Sequence, residues 1–97
     1  SQILINLIKN ALQAGAKHID ISAKMGKDDD VIIQVTNDGE PIPVSAQEQI
    51  FIPFYTTKKE GSGIGLSISR QIMQNHNGSI ELVRSDAHQT VFELRFR

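Results

Sequence analysis

The sequence predicts a small α+β domain, a two-layer sandwich in which helices cover one face of a mixed sheet of about four strands. Two stretches, residues 1–14 and 64–76, carry apolar residues at helical spacing. Strand patterns, either alternating or continuously apolar, occur at four places: 18–25, 31–36, 79–84 and 89–97. Two amphipathic helices suffice to cover one face of such a sheet and leave its other face wetter.

The first half of the chain predicts a helix followed by a hairpin. The helix covers residues 1–14 and stops at Gly15, because glycine commonly follows the last helical residue. The strand at 18–25 is predicted to be half-buried, with its apolar side chains on one face: Ile19, Ile21, Ala23 and Met25. A polar turn at 26–30 leads into the more apolar strand 31–36, which we expect to be central.

The second half predicts a long irregular connection, a helix and another hairpin. Ser45 and Glu48 have capping-box spacing and should start a short helical turn. The rest of residues 39–62 shows little regular pattern, and a loop that long in a small domain is usually functional or mobile. The second helix runs over 64–76 and should close at Asn77-Gly78, before the last two strands.

Composition limits the class of protein. Ninety-seven residues make one domain, with 39% hydrophobic residues, 22% charged residues and a formal net charge of −1. This charge gives no support to a nucleic-acid or membrane-surface role. There is no cysteine, so disulfides and cysteine-ligated metals are excluded. We expect a soluble, cytoplasmic domain, truncated at its N-terminus from a parent protein that could be membrane-anchored.

A glycine-rich stretch, Gly61-Ser62-Gly63-Ile64-Gly65-Leu66, precedes the second helix. Glycines next to a helix N-terminus can present backbone N–H groups to phosphate, although a flexible hinge would have the same composition. A dinucleotide-binding fingerprint is excluded because its third glycine would fall at Leu66. A P-loop is excluded because Gly65 is followed by leucine rather than by lysine and serine or threonine.

Two further features have both a structural and a functional interpretation. Asn6 and Asn10 lie one turn apart on the first helix, which is typical of a solvated polar face but also suits oxygen ligands for a hard cation. Asp38-Gly39 is a common turn pair. Its carboxylate, at the mouth of a sheet, could also accept a hydrogen bond from an exocyclic amine.

In order and spacing, four stretches together resemble the ATP-binding domain of two-component sensor histidine kinases, in the superfamily of gyrase, Hsp90, MutL and the histidine kinases. Asn6 to Ala11 resembles the N box and Asn37 to Ile42 the first glycine box. Phe51 to Lys58 resembles the F box, and Gly61 to Leu66 the second glycine box. The resemblance covers nearly the whole chain and implies the Bergerat-type ATP-binding fold, with ATP and Mg²⁺ as cofactors.

The resemblance implies roles for the matching residues. The implied catalytic residues are Asn10, which would bind Mg²⁺ through its side-chain oxygen, Asn6, which would support that site, and Lys58, which would reach the terminal phosphates. Asp38 would accept from the adenine amino group. The other implied nucleotide contacts are Gly39, Ile42 and Thr90 around the base, Thr57 in the F box, and the backbone of Gly61, Gly63, Gly65 and Leu66 at the phosphates.

The first helix favours phosphoryl transfer over hydrolysis. ATP-hydrolysing relatives carry a glutamate at the place of Asn6, and residues 1–17 contain no Asp or Glu. A carboxamide has no useful basicity, so it cannot activate water as a general base. Gln13 occupies a place where many relatives have a basic residue, and Gln89 one where they usually have glycine.

The implied function is donation of the ATP γ-phosphate to a histidine on a separate dimerisation and acceptor domain, and indirectly to a response regulator. An anti-sigma-type serine kinase and a nucleotide-binding regulatory module without turnover are the alternatives. None of His18, His76 and His88 has the context of an acceptor helix, so no catalytic role is assigned to them. We expect the isolated chain to be inactive by itself and to self-associate, with no nucleic-acid partner.

Overall fold

The computed structural model describes residues 2–52 and 65–97 and confirms the predicted fold class, with helices on one face of a four-stranded sheet. A short 3₁₀ turn, Val44–Ala46, lies in the connection between the two halves. The elements are α1 (Gln2–Gln13), β1 (Ile19–Met25), β2 (Val31–Asn37), α2 (Gly65–Asn75), β3 (Ser79–Ser85) and β4 (Thr90–Phe96).

The sheet has the order β1-β2-β4-β3, and all pairs among these strands are antiparallel. The expectation of a mixed sheet was therefore wrong in this detail. The connection from β2 through α2 to β3 would produce a parallel pair if those strands were neighbours. β4 lies between them instead, paired with β2 on one side and with β3 on the other.

The core lies between the two helices and the middle of the sheet. Facing pairs in β2 and β4, such as Val35 opposite Phe92, direct apolar side chains toward the helices. The Phe92 ring meets Phe51 edge-on, with 6.5 Å between ring centroids. The buried apolar residues that form this core are Ile3, Leu7, Val35, Ile50, Met73, Ile80, Phe92 and Leu94.

Strand β1 is not half-buried as predicted. It forms one edge of the sheet, and six of its seven residues are exposed, including Ile21 at 49% and Met25 at 63% exposure. The alternation in the β1 sequence correctly predicts that these apolar side chains share one face of the strand. It does not predict whether a helix covers and buries that face. An apolar edge strand of this kind can recruit another chain, so the expected self-association stays a prediction.

The helix ends follow the predicted glycine signals. Gly15 has φ +78°, and the N–H groups of Gly15 and Ala16 donate to carbonyls of the last turn of α1. After α2, Asn77 adopts φ 58° and the Gly78 N–H donates to Met73 O at 2.7 Å. The short turn at Val44–Ala46 starts after Pro43 without a side-chain cap, so the capping box expected at Ser45 does not form.

Within residues 2–52 and 65–97, no helix combines the length and the apolar character needed to cross a membrane.

Candidate functional site

A cavity of about 160 Å³ lies between the C-terminal turn of α1, the end of β2 and the start of β4. Pockets that enclose a whole drug-sized ligand have volumes of roughly 300–1,000 Å³. Since this cavity is smaller, its size suits one ring system of a larger molecule. Three of the predicted site residues meet there: Asn10, Ile42 and Thr90. The other lining residues are Gln13, Ala14, Asn37, Glu40, Pro41 and Pro43.

A second, larger depression of about 550 Å³ lies along β3 and α2 and contains none of the predicted site residues. Its lining includes Arg70, whose guanidinium stands 5.9 Å from the centroid of the Phe51 ring. The smaller cavity is the better candidate site because it gathers amide and hydroxyl groups from three different elements around one small volume.

Asp38 does not line the cavity, and its carboxylate is bound elsewhere. Its Oδ1 accepts from the backbone N–H of Lys17 at 2.7 Å and of His18 at 2.9 Å, while its Oδ2 pairs with His18 Nδ1 at 2.9 Å. This carboxylate holds the start of β1 and does not line the cavity, and the adenine contact of Asp38 stays a prediction. These hydrogen bonds, with the His18 backbone N–H as the largest cause, lower the pKa of Asp38 from 3.8 to about 2.

Asn37, the residue before Asp38, does line the cavity. It is 4% exposed and lies directly opposite Thr90 in the sheet. Its Oδ1 accepts from the Gly39 N–H at 2.9 Å. Strand periodicity could have found this residue, since Asn37 has the same parity as Val35, a residue of the core.

A pair of hydroxyl groups joins the loop after β2 to the start of β4. Ser85 Oγ accepts from the Ile42 N–H at 2.8 Å and lies 2.8 Å from Thr90 Oγ1. If the Ser85 hydroxyl donates to Thr90, the Thr90 hydroxyl hydrogen is left for a partner in the cavity. The sequence analysis did not identify Ser85, which lies directly after the predicted strand 79–84.

Gly39 acts through close packing rather than as a lining residue. A Cβ atom there would lie 2.9 Å from both Ala14 Cβ and Ala14 O, and 3.1 Å from Asn37 Oδ1. The next residue, Glu40, donates its N–H to Ala14 O at 2.8 Å. The absence of a side chain at Gly39 therefore lets the loop rest against the end of α1 and form one wall of the cavity.

Asn6 and Asn10 have different surroundings, although they lie one turn apart. Asn10 lines the cavity, whereas the Asn6 amide donates to Gly65 O and to Ser69 Oγ, each at 3.2 Å. Asn6 thereby joins α1 to the first residue of α2, and it is absent from the cavity lining.

Two residues of the predicted phosphate site lie at the start of α2: Gly65 begins the helix and Leu66 packs against the core. Thr57, Lys58, Gly61 and Gly63 lie outside the described residues.

The Asp38 hydrogen bonds predict an acid-sensitive contribution to stability. Since the folded-state pKa is lowered to about 2 from 3.8, this contribution is full above about pH 3.8 and is lost as the pH falls toward 2. We expect Asp38→Asn to lower the melting temperature at pH 7 and the difference from the unmodified chain to shrink below pH 4. Thermal denaturation followed by circular dichroism between pH 2 and pH 7 measures this difference in melting temperature.

Asp28→Asn, the same change in an exposed turn, is the control, and its melting temperature should not converge with that of the unmodified chain in this way. Equal melting temperatures of Asp38→Asn and the unmodified chain at pH 7 would contradict a stabilising role for the Asp38 hydrogen bonds.

The fold and the cavity together describe an α+β domain with a small, partly polar cavity, and comparison with known proteins gives the family. The sequence profile of the histidine kinase-, DNA gyrase B- and HSP90-like ATPases matches residues 1–97. The chain therefore belongs to this ATPase family.

Its curated relatives are sensor histidine kinases. It is 36% identical over 96 residues to sensor histidine kinase ZraS of Salmonella typhimurium, covering 97% of this chain and 21% of that protein. It is 34% identical over 96 residues to sporulation kinase A of Bacillus subtilis, covering 98% of this chain and 16% of that protein. The chain thus spans about a fifth or less of these relatives.

Solved structures agree with this family assignment. The catalytic domain of histidine kinase ThkA in a nucleotide-free form superimposes with a TM-score of 0.80 at 39% identity, covering 98% of this chain and 63% of that chain. Full-length ShkA in complex with AMPPNP gives a TM-score of 0.86 at 24% identity, covering 98% of this chain and 20% of that chain. The second likeness supports the fold alone.

Proposed function

We propose that this chain is the catalytic part of a two-component sensor kinase: it binds Mg²⁺-ATP and donates the γ-phosphate to a histidine on a separate acceptor domain. The observation that supports it best is the meeting of Asn10, Asn37, Ile42 and Thr90 around a ring-sized cavity in a chain of this ATPase family. In this proposal the adenine base occupies the cavity, where Ile42 offers apolar contact and the amide and hydroxyl groups offer hydrogen bonds.

The phosphates are proposed to extend from the cavity toward the start of α2. Asn6 fastens Gly65, the first residue of α2, to the helix that carries Asn10. Helix N-termini favour anions because their first N–H groups lack partners within the helix. Gly61, Gly63, Gly65 and Leu66 keep their proposed role at the phosphates. Thr57 and Lys58 keep theirs at the nucleotide, with Lys58 at its terminal phosphates.

The donor chemistry near Asn10 fits Mg²⁺ carried by a nucleotide. Within residues 2–52 and 65–97 there is no cluster of His, Asp or Glu that could hold a metal ion. Mg²⁺ commonly takes one or two protein oxygens and fills its other positions with phosphate oxygens and water. The Asn10 side-chain oxygen would supply such a protein ligand, and the bound ion would neutralise charge on the transferring phosphoryl group.

Transfer to a protein is favoured over hydrolysis by the side chains of α1. Asn6, one turn before Asn10, is neutral and engaged with Gly65 and Ser69. Residues 1–17 contain no carboxylate that could activate water. The proposed partners are the parent protein's own dimerisation and acceptor domain and, through it, a response regulator. We propose that the domain works in the cytoplasm, where ATP is available.

A phosphotransfer assay tests this proposal. The chain is incubated with Mg²⁺ and γ-labelled ATP, with and without the histidine-bearing domain of its parent protein. We expect acid-labile phosphohistidine on that domain, and no labelled residue on the chain itself. Acid-stable phosphoserine on an added substrate would favour the serine-kinase alternative. Nucleotide binding without any transfer would favour a regulatory module.

A further inference from the structure

The polar side chain buried at the proposed base site is an amide and not a carboxylate. Asn37 is the buried residue of this turn that lines the cavity. Glu40 also lines it but is exposed, and the Asp38 carboxylate accepts from Lys17 and His18. An ionised carboxylate only accepts hydrogen bonds, whereas an amide both donates and accepts. The choice between these two neighbours therefore decides which edge of a base the site can recognise.

The orientation of the Asn37 amide is set by the backbone. Its Oδ1 accepts from the Gly39 N–H at 2.9 Å, so the Nδ2 hydrogens lie on the other side of the amide group. Within residues 2–52 and 65–97, these hydrogens have no acceptor, which leaves them available to a molecule in the cavity. Thr90, opposite Asn37 in the sheet, adds a hydroxyl that can donate or accept and that contacts Ser85. The buried polar groups of Asn37 and Thr90 thus offer a donor as well as acceptors and carry no negative charge, while the Glu40 carboxylate of the lining is exposed.

Purine bases differ at position 6 in this respect. Adenine carries an amino group that donates, while guanine carries an oxygen that accepts. A carboxylate would bind the amino group and repel the oxygen. An amide can accept from the amino group through the second lone pair of its oxygen, or donate to the oxygen through its nitrogen.

We infer that Asn37 makes this nucleotide site tolerant at position 6 of the purine, so that 6-oxo purine nucleotides bind as well as 6-amino ones. This inference rests on the proposed function, since it concerns the base end of the same site. Asn37 is then the specificity-determining residue, and replacing its amide by a carboxylate of nearly the same shape creates selectivity for adenine.

Competition binding against a fluorescent ATP analogue tests the inference. Dissociation constants for ATP, GTP and inosine triphosphate are measured with Mg²⁺ for the unmodified chain, Asn37→Asp and Asp38→Asn. We expect the unmodified chain to bind the three nucleotides within about tenfold of one another. Asn37→Asp should raise the preference for ATP by about tenfold to a hundredfold, as expected for one hydrogen bond to a charged group.

Asp38→Asn is the matched control, because it changes a neighbouring carboxylate that faces away from the cavity. Its ratio of ATP to GTP affinity should equal that of the unmodified chain. The inference is overturned if the unmodified chain already rejects GTP and inosine triphosphate by more than about a hundredfold, a result that needs no variant to fold. It is also overturned if Asn37→Asp leaves the ratio unchanged. Failure of the unmodified chain to bind any of the three nucleotides would overturn the proposed function itself.

Discussion

Replacing Asn10 by alanine is expected to abolish Mg²⁺-dependent nucleotide binding while leaving the fold intact. Asn10 lines the cavity but does not belong to the buried core, and alanine is the better helix former. Loss of a residue that supports a metal ligand typically costs 10–100-fold in affinity, so removing a direct ligand should cost more than about a hundredfold. Titration with a non-hydrolysable ATP analogue, with and without Mg²⁺, measures the effect.

Gln13→Ala provides the comparison for Asn10→Ala. Gln13 lies three residues later on the same helix and also lines the cavity, yet no metal role is proposed for it. This variant should keep Mg²⁺-dependent binding. The Asn10 assignment would be wrong if Asn10→Ala bound the analogue with the affinity of the unmodified chain, or if both variants lost binding equally.

Phe92→Ala is expected to unfold the domain or nearly so. Phe92 is 1% exposed, faces Val35 and Leu82 across the neighbouring strands, and meets Phe51 edge-on. Truncating a buried phenylalanine costs about 3–5 kcal/mol, a large part of the roughly 5–15 kcal/mol that stabilises a typical domain. A small domain buries a smaller fraction of its surface, so its margin is thin.

Urea denaturation followed by circular dichroism measures this loss, with Phe96→Ala as the matched control. Phe96 lies on the same strand and the same face but is only partly buried at the strand end. We expect Phe96→Ala to remain folded with a clearly smaller loss. Equal midpoints for the two variants would contradict a core centred on Phe92.

The repeating patterns of the sequence predicted most of the fold. Each helix and strand begins and ends within about one residue of its predicted range, because the spacing of apolar residues differs between helices and strands and stops where the element ends. The same patterns do not report which strands become neighbours or how far the helices extend. The position of β4 between β2 and β3 depends on which strands become neighbours, and the exposure of Ile21 and Met25 depends on how far the helices extend over the sheet.

The candidate site was predicted less well than the fold. Asn10, Ile42 and Thr90 were identified from motifs and meet at the cavity. The resemblance implied Asp38 and not Asn37 at the base, although strand parity gives Asn37 the inward position. Ser85 had no local signal, since its partner Ile42 is 43 residues away in the chain.

The pairing of β2 with β4 has a consequence for how the domain folds. Each hairpin can form from nearby residues, but β2 and β4 join only when partners such as Gln34 and Glu93, 59 residues apart, come together. Such non-local contacts slow folding. Asn37 and Thr90 lie opposite each other at one end of the β2–β4 pairing, so the candidate cavity forms only when the two hairpins have paired. A ligand at 100 times its Kd would then add about 2.7 kcal/mol to the stability of the paired state.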